Sequence, residues 1–222
     1  MALHIYRTKD GCRVPSVTTV ISHRKADADA LIHWAWKLGT EGKDWRKVRD
    51  EAASAGTIAH SLVEQAIKGN DFRSPPVDSV MNDYGCDEEI AKRAHNAFQM
   101  FLRWAEQSKL EVVESELSLV SEKYRFGGTL DSILLAGEPA IGDWKTSNAI
   151  RFDYLVQVAA YGALFGEVHE TPIEGGYHII RFAKETADFE HRYFGEVEDA
   201  WQAFVHLRAL YDLDAKLKKR VQ

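Results

Sequence analysis

The stretch that most constrains what this chain can fold into runs from Phe126 to Ser147, FGGTLDSILLAGEPAIGDWKTS. Phe126 to Leu135 is rich in β-formers, Ala136-Gly137-Glu138-Pro139 breaks the run, and Ala140 to Thr146 resumes extended. Side chains alternate along a strand, so Asp143 and Lys145 share one face while Trp144 takes the other. If the two strands pair as a hairpin, Asp131 comes close on the neighbouring strand. Two carboxylates and an ammonium then crowd one patch of sheet. Adjacent carboxylates raise each other's pKa unless a cation sits between them. Hard oxygen ligands completed by water suit Mg²⁺ or Mn²⁺. Such an ion polarises a phosphoryl oxygen and supplies a nucleophilic water, while a nearby lysine orients that water or stabilises developing charge. A surface hairpin with a plain ion pair accounts for the same residues equally well, because D-x-K is short and common.

Composition narrows the setting. At 222 residues, 45% hydrophobic and 28% charged, the chain is an ordinary globular sequence able to build one good-sized core. No apolar run approaches the roughly 20 residues that span a bilayer. The start, MALHIYRTKDG, reads as neither a signal peptide nor an Arg- and Ser-rich transit sequence. Cys12 and Cys86 are the only cysteines, which points to reduced thiols and a cytoplasmic location. A net charge of −6 argues against a protein that coats nucleic acid by charge alone, so any nucleic-acid path must be locally basic. Lys43, Arg46, Lys47 and Arg49 form one candidate cluster, and Lys216, Lys218, Lys219 and Arg220 another. Each reads as readily as a solvated helix face or tail.

Taken in order, His4 to Val14 is a short extended start broken at Lys9-Asp10-Gly11, and Ser16 caps a helical segment. Ala26 to Leu38 is helical by pattern, with Trp34 and Trp36 expected in the core or against a neighbouring helix. Gly56 is expected to begin a helix whose buried stripe is Ile58, Leu62, Val63, Ala66 and Ile67, with His60 and Glu64 together beside it. Asn70 to Ser79 reads as a linker, and Asp87 to Lys109 as a long amphipathic helix. Glu111 to Val120 alternates as a strand, placing Val113, Leu117 and Leu119 on one face and Glu114, Glu116 and Ser118 on the other. Phe152 to Phe165 is a helix carrying Gln157 and Tyr161 one turn apart. Two strands, Tyr177 to Phe182 and Asp188 to Phe194, precede a closing helix from Glu196 to Lys216. The expected fold is α/β, with a central mixed β-sheet flanked by helices. One domain, 1–222, is expected, with a mainly helical region at 1–75 and the core at 85–222.

The order Leu130-Asp131, a turn, then Asp143-Trp144-Lys145 resembles the PD-(D/E)XK nuclease superfamily. Gln157 and Tyr161 in LVQVAAYGAL look like the Q-x-x-x-Y helix of its RecB-like branch, and Gly56-Thr57 with His60 look like that branch's histidine motif. Together with Pro15-Ser16-Val17-Thr18, GDWKTS and QVAAYGAL, the pattern is similar to mitochondrial genome maintenance exonucleases and their phage and bacterial relatives. The resemblance implies a restriction-endonuclease-like core and a metal-dependent DNA exonuclease of phage or bacterial replication, recombination or repair, preferring single-stranded ends. Under it His60, Asp131 and Asp143 bind Mg²⁺ or Mn²⁺, with the Trp144 main-chain carbonyl as a further ligand. Lys145 positions the attacking water. Glu116 helps hold metal, although Glu114 shares its strand face and leaves the register open. Gln157 holds a phosphate or a metal-bound water, and Tyr161 contacts DNA, braces Lys145 or simply packs. The branch with a four-cysteine iron–sulfur cluster is excluded, since the chain has too few cysteines. A flap or junction endonuclease, and an inactive DNA-binding module derived from a nuclease, remain the alternatives.

Overall fold

The computed structural model describes residues 4–24, 28–108, 111–135, 137–186 and 188–221. Its centre is a five-stranded mixed sheet in the order β3 (Glu111–Ser121), β4 (Phe126–Leu135), β5 (Pro139–Lys145), β6 (Tyr177–Phe182) and β7 (Phe189–Phe194). Only the β5–β6 pair is parallel. That pair needs a crossover, which α6 (Phe152–His169) supplies, while the antiparallel neighbours need only short connections. A separate two-stranded ribbon, β1 (Tyr6–Arg7) with β2 (Arg13–Val14), leads into the short helix α1 (Val17–Ile21). Ser16 caps α1 by accepting from the Thr19 amide. The Pro15 carbonyl accepts from the Gly127 amide at 3.0 Å, so this N-terminal turn is tied to the start of β4.

Both faces of the sheet are covered, as a sheet with a parallel pair requires. One face packs α3 (Trp45–Gly69), α4 (Val77–Tyr84) and α5 (Glu88–Gln107) against Leu134, Ala140, Trp144, Ile180 and Phe182. Trp144 stacks edge-on to Trp104 and Phe101 with ring centroids 5.1 and 5.9 Å apart, which favours the offset geometry aromatic quadrupoles prefer. The other face packs α1, α6 and α7 (Glu198–Arg220) against Leu130, Ile133, Ile141 and Ile179. Alternation along β5 thus sends Trp144 to one core and Ile141 to the other.

Several sequence-based expectations need correction. The histidine helix does not begin at Gly56 but at Trp45, capped by the Asp44 side chain on the Arg46 amide. Gly56 lies in its interior because the helix passes close to the end of β5: a Cβ there would stand 2.8 Å from Thr146 Oγ1. The stretch read as a linker to Ser79 stops at Pro76, after which Val77–Tyr84 is helical and buries Val80. On α2 (Ala28–Thr40) Trp36 is not in the core: it is 63% exposed, with Leu31 and Ile32 also exposed. A bulge between Val112 and Glu114 breaks the expected alternation of β3, and Val113 is exposed instead of sharing the face of buried Leu119. Ala26, Lys109 and Ala136, which were expected in elements or turns, lie outside the described residues.

Candidate active site

The β4–β5 ladder ends at Ser132↔Gly142, while β5 stays paired with β6 as far as Lys145. Beyond that point the Trp144 amide donates to Asp131 Oδ2 at 2.9 Å. A side-chain carboxylate thus takes an amide where a ladder bond would otherwise fall, and the sheet splits between β4 and β5. In β3 the register runs Ser115↔Ser132 and then Leu117↔Leu130, which sets Glu116 across from Asp131. Glu116 has φ 57°, a left-handed conformation that costs a non-glycine residue energy and is held by its surroundings. Helix α3 lies over this split and brings His60 to it.

One ligand atom each from His60, Glu116 and Asp131 lies within 4.8 Å of the others. Asp143 lies outside this trio: its Oδ2 is 2.6 Å from Lys145 Nζ. It is fully buried, and apart from that ion pair neither of its oxygens meets a hydrogen-bond partner at bonding geometry among the described residues. Lys145 also stands over the Tyr154 ring, 4.8 Å from its centroid. Gln157 Nε2 donates to Tyr161 Oη at 2.7 Å, and Tyr161 is only 4% exposed. Gly128 makes this possible, since a Cβ there would meet Tyr161 at 2.8 Å. A cavity of about 940 Å³ joins these groups, lined by His60, Glu116, Asp131, Trp144, Lys145 and Gln157 among others. Tyr6, Ser16 and Thr18 line it as well.

Electrostatics follow from burial and crowding. Burial pushes Asp143 up to about 7 against the pull of Lys145, and Asp131 adds to the rise. Asp131 is raised by burial too, with Lys145 and the Trp144 amide opposing. Burial, then the charges of Asp131 and Glu64, lift Glu116 to about 7. Burial disfavours the Lys145 ammonium, yet Asp143 and Asp131 outweigh it and the net shift is upward. His60 falls to about 4, mainly through burial and then the charge of Lys145, so its imidazole is neutral at pH 7 and free to donate a lone pair. Three carboxylates held above their ordinary range beside a neutral imidazole fit a divalent cation, which would relieve the repulsion. Oxygen-rich donors with one nitrogen suit a hard or borderline ion.

Of the residues expected from the sequence, His60, Glu116, Asp131, Asp143, Lys145, Gln157 and Tyr161 are brought to this one place, and the register favours Glu116 over the exposed Glu114. Glu64 pairs with Lys68 at the edge of the group. Sequence reasoning missed Arg49, Thr146 and Lys184, which line the same cavity. Arg49 had been noted only as part of a basic cluster. Lys184 follows a strand without any motif, and no sequence signal marks it.

The fold is a five-stranded mixed α/β sheet flanked by helices, and sequence comparison names the family. Residues 22–219 match the PD-(D/E)XK nuclease superfamily, and the chain belongs to that superfamily. No curated protein sequence matches. Among solved structures, a protein of Eubacterium rectale described as a "Putative exonuclease" is 13% identical, with a TM-score of 0.47 over 70% of this chain and 64% of its own. This chain therefore spans less than two thirds of that protein. The protein SSO0001 is 13% identical with a TM-score of 0.32, covering 67% of each chain. PD-(D/E)XK nucleases use divalent metals and act on DNA. No helix among the described residues is long and apolar enough to cross a membrane.

Proposed function

We propose that this chain is a Mg²⁺- or Mn²⁺-dependent deoxyribonuclease that degrades DNA from single-stranded ends. The observation that carries the reading is the convergence of His60, Glu116 and Asp131 within 4.8 Å, beside the Asp143–Lys145 pair. These three residues hold the ion, with Asp143 and the Trp144 main-chain carbonyl as further ligands. When bound, the ion polarises the scissile phosphate and lowers the pKa of a water. The protein's own groups do the rest. Lys145, kept charged by Asp143, orients the attacking water and stabilises negative charge on the phosphoryl oxygens. Gln157, fixed by Tyr161, holds a phosphate oxygen. Asp131 fastens the Trp144 amide and so sets the end of β5 that carries Lys145.

The preference for a single strand rests on the lining of the site. Residues of α3 and of the N-terminal segment (Tyr6, Ser16, Thr18) line it together, and the net charge of −6 suits threading one strand better than gripping a duplex. The test is to incubate the protein with Mg²⁺ or Mn²⁺ and end-labelled linear single strands, linear duplex and circular single strands. Loss of the linear single strand alone is the expected result. Cutting of circles would replace the exonuclease with an endonuclease of flap or junction type. Binding without cleavage of any substrate would overturn the nuclease assignment.

A further inference from the structure

Lys184 stands two residues beyond β6 and is 8% exposed. Its Nζ donates to the Ala52 carbonyl of α3 at 2.9 Å, and its own carbonyl accepts from Asn96 Nδ2 at 3.2 Å. Among the described residues it makes no ion pair, whereas Lys145 is held by Asp143 at 2.6 Å and Arg93 by Glu185 at 2.6 Å. An ammonium withdrawn from water with no carboxylate in ion-pair contact is costly. This one lines the same cavity as the ligand cluster, with Arg49, Gly56 and Thr146.

The spacing along α3 says which part of a substrate would meet it. Ala52, Gly56 and His60 recur every four residues and so share one helix face. A Cβ on Gly56 would stand 2.8 Å from Thr146 Oγ1 and 3.9 Å from Lys184 Nζ, so the bare glycine lets a hydroxyl and an ammonium come close to the same turn of α3. Gly56 and His60 are separated by roughly 6 Å along the helix axis at 1.5 Å per residue. Along α3 the ammonium therefore lies about one helical turn from His60, a separation comparable to that between neighbouring phosphates on a strand.

We propose that Lys184 and the Thr146 hydroxyl, with Arg49 of the same cavity lining, form a subsite for the phosphate adjacent to the scissile one on a nucleic-acid strand. The proposal rests on the nuclease reading above and assigns Lys184 to binding, not to chemistry. Lys184→Met and Lys184→Arg test it, with two substrates in Mn²⁺: a short single-stranded oligonucleotide and bis(p-nitrophenyl) phosphate, whose single phosphate has no neighbour. Oligonucleotide affinity is measured separately, by fluorescence anisotropy in EDTA across a salt series. For Lys184→Met the oligonucleotide Kd and KM should rise by about tenfold, the loss of one charged hydrogen bond. The slope of log Kd against log salt should shrink by about 0.7, the loss should be much larger on the oligonucleotide than on the small diester, and Lys184→Arg should restore binding. If Lys184→Met does not fold, Thr146→Val carries the same affinity test while leaving the Ala52 hydrogen bond in place. Unchanged oligonucleotide affinity with a lowered melting temperature would overturn the subsite and leave Lys184 as a pin between β6 and α3. Equal losses on both substrates would overturn it as well. Wild-type protein inert toward both substrates would instead sink the nuclease reading, and the anisotropy series would still decide the subsite.

Discussion

Asp143 is the residue where folding and chemistry pull hardest against each other. It is fully buried, and among the described residues its ion-pair partner is Lys145 at 2.6 Å. A buried ion pair is weak evidence for stability, because desolvation offsets most of the Coulomb gain, so the fold alone gives little reason for it. Lys145→Ala should lower cleavage at least a hundredfold, in line with the loss of a group that stabilises transition-state charge, while oligonucleotide affinity changes little. Near-native turnover in that variant would remove β5 from the active site. Protonation gives a second test. Glu116 and Asp143 carry pKa values raised to about 7 without a cation, so near pH 6 each must shed a proton before it can serve as a ligand. His60, lowered to about 4, is already neutral there and opposes nothing. Binding therefore releases protons and weakens as pH falls through 7. The sign for stability follows: raised carboxylate pKa values favour the metal-free fold at low pH and lose that contribution as pH rises, whereas the metal-loaded fold does the reverse. The Mn²⁺-induced rise in melting temperature should be clearly larger at pH 8 than at pH 6. An equal rise at both would mean that these carboxylates are not ligands.

The elements show how far local pattern reaches. The β4–turn–β5 unit, the Ser16 cap, the α5 stripe and the Gln157–Tyr161 pair were legible because each depends on period and capping, which are local. Three things were not. The true start of α3 at Trp45 was hidden because Gly56 reads as a boundary, yet here it is an interior residue selected by the approach of Thr146. The β3 bulge at Val112/Glu114 and the left-handed Glu116 depend on the partner strand, which β3's own sequence does not specify. Lys184 becomes part of the site only when β6 is set parallel to β5. Gly128 offers a test at this scale. Gly128→Ala would bring a Cβ to 2.8 Å from Tyr161 and 3.1 Å from Leu164. Overpacking of this kind costs about 1–3 kcal/mol, and Tyr161 has no room to retreat at 4% exposure. A lower denaturation midpoint together with reduced turnover is expected. A neutral variant would show that α6 can slide on the sheet, and that the Gln157–Tyr161 geometry is not fixed by it.

At the scale of the whole molecule, the site lies where three separately built parts meet. Helix α3 contributes His60, the β3–β4 pair contributes Glu116 and Asp131, and β5 contributes Asp143 and Lys145. A cation held among them would bind the native state and not the unfolded chain, stabilising the fold by about 2.7 kcal/mol when its concentration is a hundred times Kd. Under the proposed function, arrangement more than net charge would make the substrate path. The chain carries −6 overall, yet Arg49, Lys145 and Lys184 all line the cavity. Among the proposed side-chain ligands His60 alone comes from outside the sheet, and it tests the account most directly. Mn²⁺ would be titrated into wild type and His60→Ala, following oligonucleotide cleavage and melting temperature together. The account predicts that His60→Ala needs much more Mn²⁺ for half-maximal activity, recovers part of that activity when saturated, and shows a smaller metal-induced rise in melting temperature. A lower melting temperature with and without metal, at an unchanged Mn²⁺ midpoint, would contradict it and leave His60 as a packing residue of α3.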